Sequence, residues 1–264
     1  KNAQIWHYRR DFWANVDFND LRLLNTPVVS NKLKKYVNEL TAQNPDSIIA
    51  SAQFLCDKAL DYPEYFQYFA NWITLNYDPL ETTLMDPQAV YVYMIENYFT
   101  NNRAFWSDSV EIFGLQQRAY EMSASVAGKQ GPDVNAPSLD GNLRSIYSLK
   151  TPYIIVYMYN PQCEHCAVQT PLLVQYMTPQ KAKEVSVYAI VVDTNDGEWR
   201  DYVKKNGMEK FVNVHDPTNQ SIYAKYYVDH TPELYLLNPE RKIIGKNLKV
   251  NQVDEMINRD KQNR

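Results

Sequence analysis

The most informative chemical group in this 264-residue sequence is a pair of cysteines separated by two residues, Cys163 and Cys166. The pair follows a nearly continuous apolar run, Tyr153 to Tyr159, and precedes a stretch of helical character over residues 167–177. A thiol at a helix N-terminus is acidified, because the unpaired N–H groups and the helix dipole stabilise its thiolate. A second thiol one helical turn away can attack a mixed disulfide, so the spacing indicates thiol–disulfide exchange.

The residues around the two cysteines also bear on this chemistry. Glu164 and His165 lie between them, and Gln162 comes directly before Cys163. A protonated imidazole at His165 favours the thiolate, whereas the carboxylate of Glu164 disfavours it. We therefore expect these three residues to contact substrate and to modulate the pKa of Cys163.

Further residues along the chain extend the pattern. Pro171 falls five residues after Cys166, and Thr231 and Pro232 come just before an apolar strand over residues 233–237. Together with the C-x-x-C pair, these motifs resemble the thioredoxin fold, and residues 129–264 resemble extracytoplasmic thiol–disulfide oxidoreductases of the TlpA and ResA type. The resemblance implies that Cys163 attacks the substrate, that Cys166 resolves the mixed disulfide, and that Pro232 is a cis-proline that guides substrate.

The same resemblance implies partners and a compartment. It implies a disulfide-bearing protein substrate, a thiol-donor redox partner, no bound cofactor, and a periplasmic or otherwise extracytoplasmic location. The chain begins at Lys1 rather than Met, so we expect that an upstream signal or lipid anchor has been removed or omitted.

This sequence departs from the pattern at three positions. Tyr157 stands where thioredoxins carry a buried aspartate, and Gln169 stands where TlpA-type proteins carry a glutamate. Both replacements remove a carboxylate that could accept the proton of the resolving thiol. Gln162 replaces the tryptophan that usually precedes the first cysteine.

Other uses of the cysteine pair stay open at this point. An inert disulfide is one, and half of a zinc site is another, although a structural zinc site usually needs four ligands and the chain has no second C-x-x-C. A third is a copper chaperone of the Sco type, in which Cys163, Cys166 and His230 would bind the metal, although that family uses a C-x-x-x-C spacing. The fourth alternative is a non-catalytic adaptor that acts through the helical first half of the chain.

The two halves of the chain differ in composition. Only seven glycines occur, none of them in residues 1–113, so tight turns between short strands are disfavoured there. Prolines at 27, 45 and 87 follow capping residues, as at helix starts. We predict an all-α domain over residues 1–128 that binds substrate or partner. We also predict that Cys56 is a buried structural thiol. This half weakly resembles a domain of unknown function found ahead of thioredoxin domains in Gram-negative bacteria. The predicted helices lie within residues 31–40, 48–59, 65–76, 90–98 and 107–126.

The second half alternates between strand and helix patterns. We predict an α/β thioredoxin-like fold over residues 129–264, with a connector over 129–137 and a late antiparallel edge. A net charge of −4 argues against nucleic-acid binding, and no apolar run is long enough to span a membrane. The predicted strands are 153–159, 185–193, 211–214, 233–238 and 242–245, and the predicted helices after the cysteine pair are 167–177, 198–205, 221–227 and 250–259.

Overall fold

The computed structural model describes residues 8–9, 11–78, 86–219, 225–228 and 230–264. The chain divides into two compact units, Lys1–Tyr120 and Glu121–Arg264. The functional boundary near residue 128 stays a prediction. Among the helices of these described residues, none is long and apolar enough to cross a membrane.

Every regular element described between Leu21 and Ser123 is helical, which confirms the all-α expectation. Three helices begin with proline at the first position and a side-chain cap from Thr26, Asn44 or Asp86. A fourth helix begins at Pro63 without a side-chain cap, two residues before the predicted helix over 65–76. The helices are α1 (Pro27–Lys34), α2 (Pro45–Lys58), α3 (Pro63–Asn76), α4 (Pro87–Tyr98) and α5 (Ser109–Ser123), with a 3-10 turn at Leu21–Asn25 and a π-helical turn at Lys35–Glu39.

The interior of the first unit is built from aliphatic helix faces and from aromatic rings in both edge-to-face and stacked contacts. Trp13 packs against Phe69 with ring centroids 5.1 Å apart, and Phe18 stacks on Tyr65 at 4.8 Å. Cys56 on α2 has no exposed surface, and burial, followed by the charge of Asp57, raises the pKa of its thiol. This environment is that of an unreactive core thiol.

The second unit contains a five-stranded sheet in the order β5-β4-β3-β6-β7. The strands β3, β4 and β5 are parallel, while β6 and β7 run antiparallel to form the late edge that the sequence predicts. All seven residues of β3 are buried, because the strand is central and both of its faces are covered. The strands are β3 (Tyr153–Tyr159), β4 (Val185–Val191), β5 (Val212–His215), β6 (Glu233–Leu237) and β7 (Ile243–Gly245), preceded by a hairpin of β1 (Asn135–Pro137) and β2 (Leu143–Ser145).

Within the described residues of this unit, three α-helices accompany the sheet: α6 (Glu164–Tyr176), α7 (Asp196–Asn206) and α8 (Val253–Gln262). The helix after the cysteine pair begins at Glu164, one turn earlier than the predicted start at 167, because Cys163 itself caps it. Pro171 lies inside this helix.

The connector and one predicted helix differ from the sequence-based prediction or lie largely outside the described residues. The connector over 129–137 ends in strand β1, because Asn135 and its neighbours pair with β2. The helix predicted over 221–227 lies largely outside the described residues, and residues 225–228 form no regular element.

Candidate active site

The sulfur of Cys163 lies at the N-terminus of α6. Cys163 is the N-cap residue, in extended backbone conformation, and its Sγ accepts a hydrogen bond from the backbone N–H of Cys166 at 3.4 Å. The preceding turn is held by Asn160, whose side chain accepts from the N–H of Gln162 and whose carbonyl accepts from the N–H of Cys163. The local fold therefore aims the sulfur at the unpaired N–H groups of the helix end.

The second side of the site comes from the segment before β6. The Cys163 thiol donates to the carbonyl oxygen of Thr231 at 3.0 Å. The Thr231–Pro232 peptide bond is cis, the isomer that the resemblance implies. Because β6 pairs directly with β3, the sheet brings together two segments that are 68 residues apart in the chain.

The two cysteines are free thiols in different environments. Cys163 is half-buried, whereas Cys166 has no exposed surface. Partial burial by itself raises the pKa of Cys163, but hydrogen bonds with the Thr231 side chain, with Cys166 and with the backbone N–H of His165 outweigh it and lower the pKa below its ordinary value. Burial raises the pKa of Cys166 to about 12, and its hydrogen bond with Cys163 adds to the rise, while the Asn160 backbone opposes it.

A cluster of hydroxyl groups lies on the buried side of α6. Thr170 is four residues after Cys166, so the two side chains share one face of the helix, and both are fully buried. The hydroxyl of Tyr157 lies 2.8 Å from Oγ1 of Thr170, and Tyr202 on α7 donates to the same oxygen at 2.9 Å. Tyr159 stacks between the two tyrosine rings, with centroid distances of 5.6 Å to Tyr157 and 5.2 Å to Tyr202.

Comparison with known proteins bears on the fold of this unit. Residues 152–243 match the sequence model of a family described as thioredoxin-like. Glu121–Arg264 is a thioredoxin-like unit. A solved structure of a thioredoxin-like protein from Bacteroides caccae superposes with a TM-score of 0.79 at 16% identity, covering 97% of this chain and 92% of that one. No curated protein matches the chain.

Two solved domains match the thioredoxin-like half at lower TM-scores. One, described as a domain of a possible thiol-disulfide isomerase from Cytophaga hutchinsonii, is 26% identical with a TM-score of 0.49, covering 53% of this chain and 95% of that one. The other is the thioredoxin domain of a thiol-disulfide oxidoreductase from Bacteroides vulgatus, 21% identical with a TM-score of 0.47, covering 51% and 97%.

The remaining predicted residues lie on the rim of the thioredoxin-like unit's cysteine site. Gln162, Glu164 and His165 are exposed, and the amide of Gln162 donates to the carboxylate of Glu198 at 3.4 Å. Thr194 donates to the other oxygen of that carboxylate at 2.8 Å. Residue 165 acts on Cys163 through its backbone N–H, so the predicted role of its imidazole stays a prediction.

Sequence reasoning missed two sets of residues in this unit: Glu198 with Thr194 on the rim, and Thr170 with Tyr202 beneath Cys166. The only signal available for the second set was Tyr157, noted as a replacement for a carboxylate. Its hydrogen-bond partner Thr170 lies on α6 and the third member, Tyr202, lies on α7, so the cluster exists only in three dimensions.

Proposed function

We propose that this protein is a thiol–disulfide oxidoreductase that acts on protein disulfides through Cys163 and Cys166. The observation that carries the proposal is the position of Cys163: its sulfur is half-exposed, caps α6 and accepts the N–H of Cys166 at 3.4 Å. Because only the thiolate is nucleophilic, a lowered pKa at an accessible sulfur suits attack on a disulfide.

The proposed reaction has two exchange steps. The Cys163 thiolate attacks one sulfur of a substrate disulfide, forms a mixed disulfide and releases the other substrate sulfur as a thiolate. Cys166 then loses its proton and attacks Cys163, which releases the second substrate thiolate and leaves a Cys163–Cys166 disulfide. The substrate gains two electrons and the protein loses two, so a thiol-donor partner must reduce the pair again.

The segment before β6 supports a role in substrate positioning. The Thr231 carbonyl already contacts the reactive sulfur at 3.0 Å, so a substrate sulfur bonded to Cys163 would lie beside Thr231 and Pro232. The exposed side chains of Gln162, Glu164 and His165 would meet the substrate chain around its disulfide. These assignments are part of the proposal.

The wider setting is proposed with the reaction. Residues 129–264 form the redox domain, and residues 1–128 bind substrate or partner. The location is extracytoplasmic, where disulfide substrates persist. The TlpA type is part of the same proposal, and it rests on the sequence motifs.

The copper alternative lacks geometric support. Within the part of the chain that the structure describes, no group of three or more His, Cys, Asp or Glu side chains is placed to hold a metal ion. His230 is exposed beside Thr231. Copper binding through Cys163, Cys166 and His230 therefore stays a prediction, as does an adaptor role.

The test of the proposed function is reduction of insulin disulfides with dithiothreitol as the thiol donor. We expect catalytic amounts of the protein to accelerate insulin reduction well above the rate with dithiothreitol alone, because an acidified thiol exchanges faster at neutral pH. A rate equal to that of dithiothreitol alone would contradict the proposal. Stoichiometric Cu(I) binding that His230→Ala abolishes, together with such a null rate, would favour the copper alternative.

A further inference from the structure

The outward face of α6 carries almost no charge, although it is exposed to solvent. From Ala167 to Tyr176 the sequence contains no Asp, Glu, Lys, Arg or His. By contrast, α7 contains six charged side chains and α8 contains five. On this face Val168 is 61% exposed and Leu172 is 44% exposed. A helix face in contact with water is normally polar, and interface centres are depleted in charge, so this face has the composition of a contact surface.

Four neighbouring residues make up this surface, which we call the α6 patch: Ala167, Val168, Pro171 and Leu172. Their spacing of three to four residues places them on one side of the helix. Ala167, Val168 and Leu172 are exposed, and Pro171 is half-buried. Because Pro171 has no N–H, the helix supplies no donor from that position to the carbonyl oxygen of Ala167. The α6 patch therefore combines aliphatic side chains with a backbone acceptor, which suits a peptide segment with apolar side chains.

The α6 patch lies within reach of a substrate that is bonded to Cys163. Cys163 caps α6, and Val168 and Leu172 follow it by five and nine residues, which is about 7.5 and about 13.5 Å along the helix axis. Helical side chains also lean towards the N-terminus, so both side chains lie closer to the sulfur than their backbone does. An extended chain advances about 3.3 Å per residue, so a substrate reaches the α6 patch about two to four residues from its cysteine.

We propose that the α6 patch binds an apolar segment of the substrate chain, and that Val168 and Leu172 make the protein prefer disulfides flanked by aliphatic side chains. The inference rests on the proposed function. The α6 patch takes no part in the bond exchange itself, which Cys163 and Cys166 perform.

The position of the reactive sulfur favours the substrate as the occupant of the α6 patch. A mixed disulfide tethers the substrate chain to the residue that caps α6, so the chain is held beside the patch on the same helix. A second copy of the protein on this face would crowd the helix end that a substrate has to approach. An anionic membrane surface is disfavoured, because the face from Ala167 to Tyr176 carries no basic side chain.

Two disulfide-linked peptide dimers test this preference. They are identical except that one carries Leu and the other Ser at the positions two to four residues on either side of the cysteine. Their reduction is followed by chromatography of acid-quenched samples, with dithiothreitol as the thiol donor and its own rate subtracted. We expect kcat/KM to be at least about tenfold higher for the Leu peptide, the effect of withdrawing about one aliphatic side chain from water. The difference should lie in KM rather than kcat, because the contact is remote from the reacting sulfurs.

A matched pair of variants assigns the preference to the α6 patch. The double variant Val168→Thr with Leu172→Gln keeps the side-chain sizes but makes the face polar, and it should bring the ratio of the two kcat/KM values close to one. Leu143→Gln changes an equally exposed leucine on β2, 62% exposed, and should keep the wild-type ratio.

Each other outcome has a distinct meaning. A wild-type ratio near one, or a ratio that the double variant retains, would overturn the α6 patch and leave the proposed function standing. A wild-type dimer in sedimentation that the double variant dissociates would also overturn it, because a second copy would then occupy the face. A wild-type protein that reduces neither peptide faster than dithiothreitol alone would overturn the proposed function itself.

Discussion

Replacing Cys163 with Ser should lower the rate of insulin reduction by at least about a thousandfold. A serine hydroxyl is not ionised at neutral pH and cannot form a disulfide, so the first exchange step is lost. Serine is also a good N-cap residue, so α6 should keep its start at Glu164. The measurement is the insulin assay on the variant and wild type at equal concentration.

The matched control is the third cysteine. Cys56 is fully buried in the helical unit, so Cys56→Ala should keep near wild-type turnover although it removes a thiol from the core. Residual turnover in Cys163→Ser comparable to wild type, with normal circular dichroism, would show that another group performs the attack.

Replacing Cys166 with Ala should convert a transient intermediate into a stable one. Cys163 keeps its place at the end of α6, so it still attacks substrate disulfides, but the mixed disulfide then lacks its internal resolving thiol. We expect steady-state turnover to fall by at least about a hundredfold, because release then depends on external thiol. Covalent adducts with insulin should accumulate on non-reducing gels and disappear on reduction.

The adducts must form through one sulfur. Peptide mapping should place the substrate on Cys163, and the double variant Cys163→Ser with Cys166→Ala should form no adduct. Adducts on Cys56, or equal adduct formation by the double variant, would contradict the assignment of Cys163 as the nucleophile.

Much of the thioredoxin-like half could be predicted from the sequence, because its signals are local. The continuous apolar run Tyr153–Tyr159 is the central strand, and the C-x-x-C pair marks the start of the next helix. The late hairpin of β6 and β7 is also where the alternation of apolar segments predicts it. The predicted helix ends are less accurate. At α6 the predicted start is residue 167, whereas the helix begins at Glu164, because Cys163, the proposed nucleophile, also caps the helix.

The surroundings of Cys166 could not be predicted, because they depend on packing between distant segments. The sequence shows that Tyr157 replaces a carboxylate, but it does not show which residues surround the tyrosine. Its hydrogen-bond partner Thr170 and the third member of the hydroxyl cluster, Tyr202, lie 13 and 45 positions further along the chain. The rim contact between Gln162 and Glu198 could not be predicted for the same reason, since 36 residues separate the two. Such contacts follow from helix and strand packing, which local periodicity does not encode.

The most direct test of the central claim is the pH dependence of alkylation at each cysteine. Reduced protein would be pulsed with iodoacetamide from mildly acidic to strongly alkaline pH and mapped by mass spectrometry. The structure predicts that Cys163 is labelled first, with a midpoint below the ordinary cysteine pKa. Cys166 should resist labelling until the pH nears its pKa of about 12, and Cys56 should stay unlabelled in the folded protein. A Cys163 midpoint at or above the ordinary value, or preferential labelling of Cys166, would contradict an activated thiolate at the end of α6.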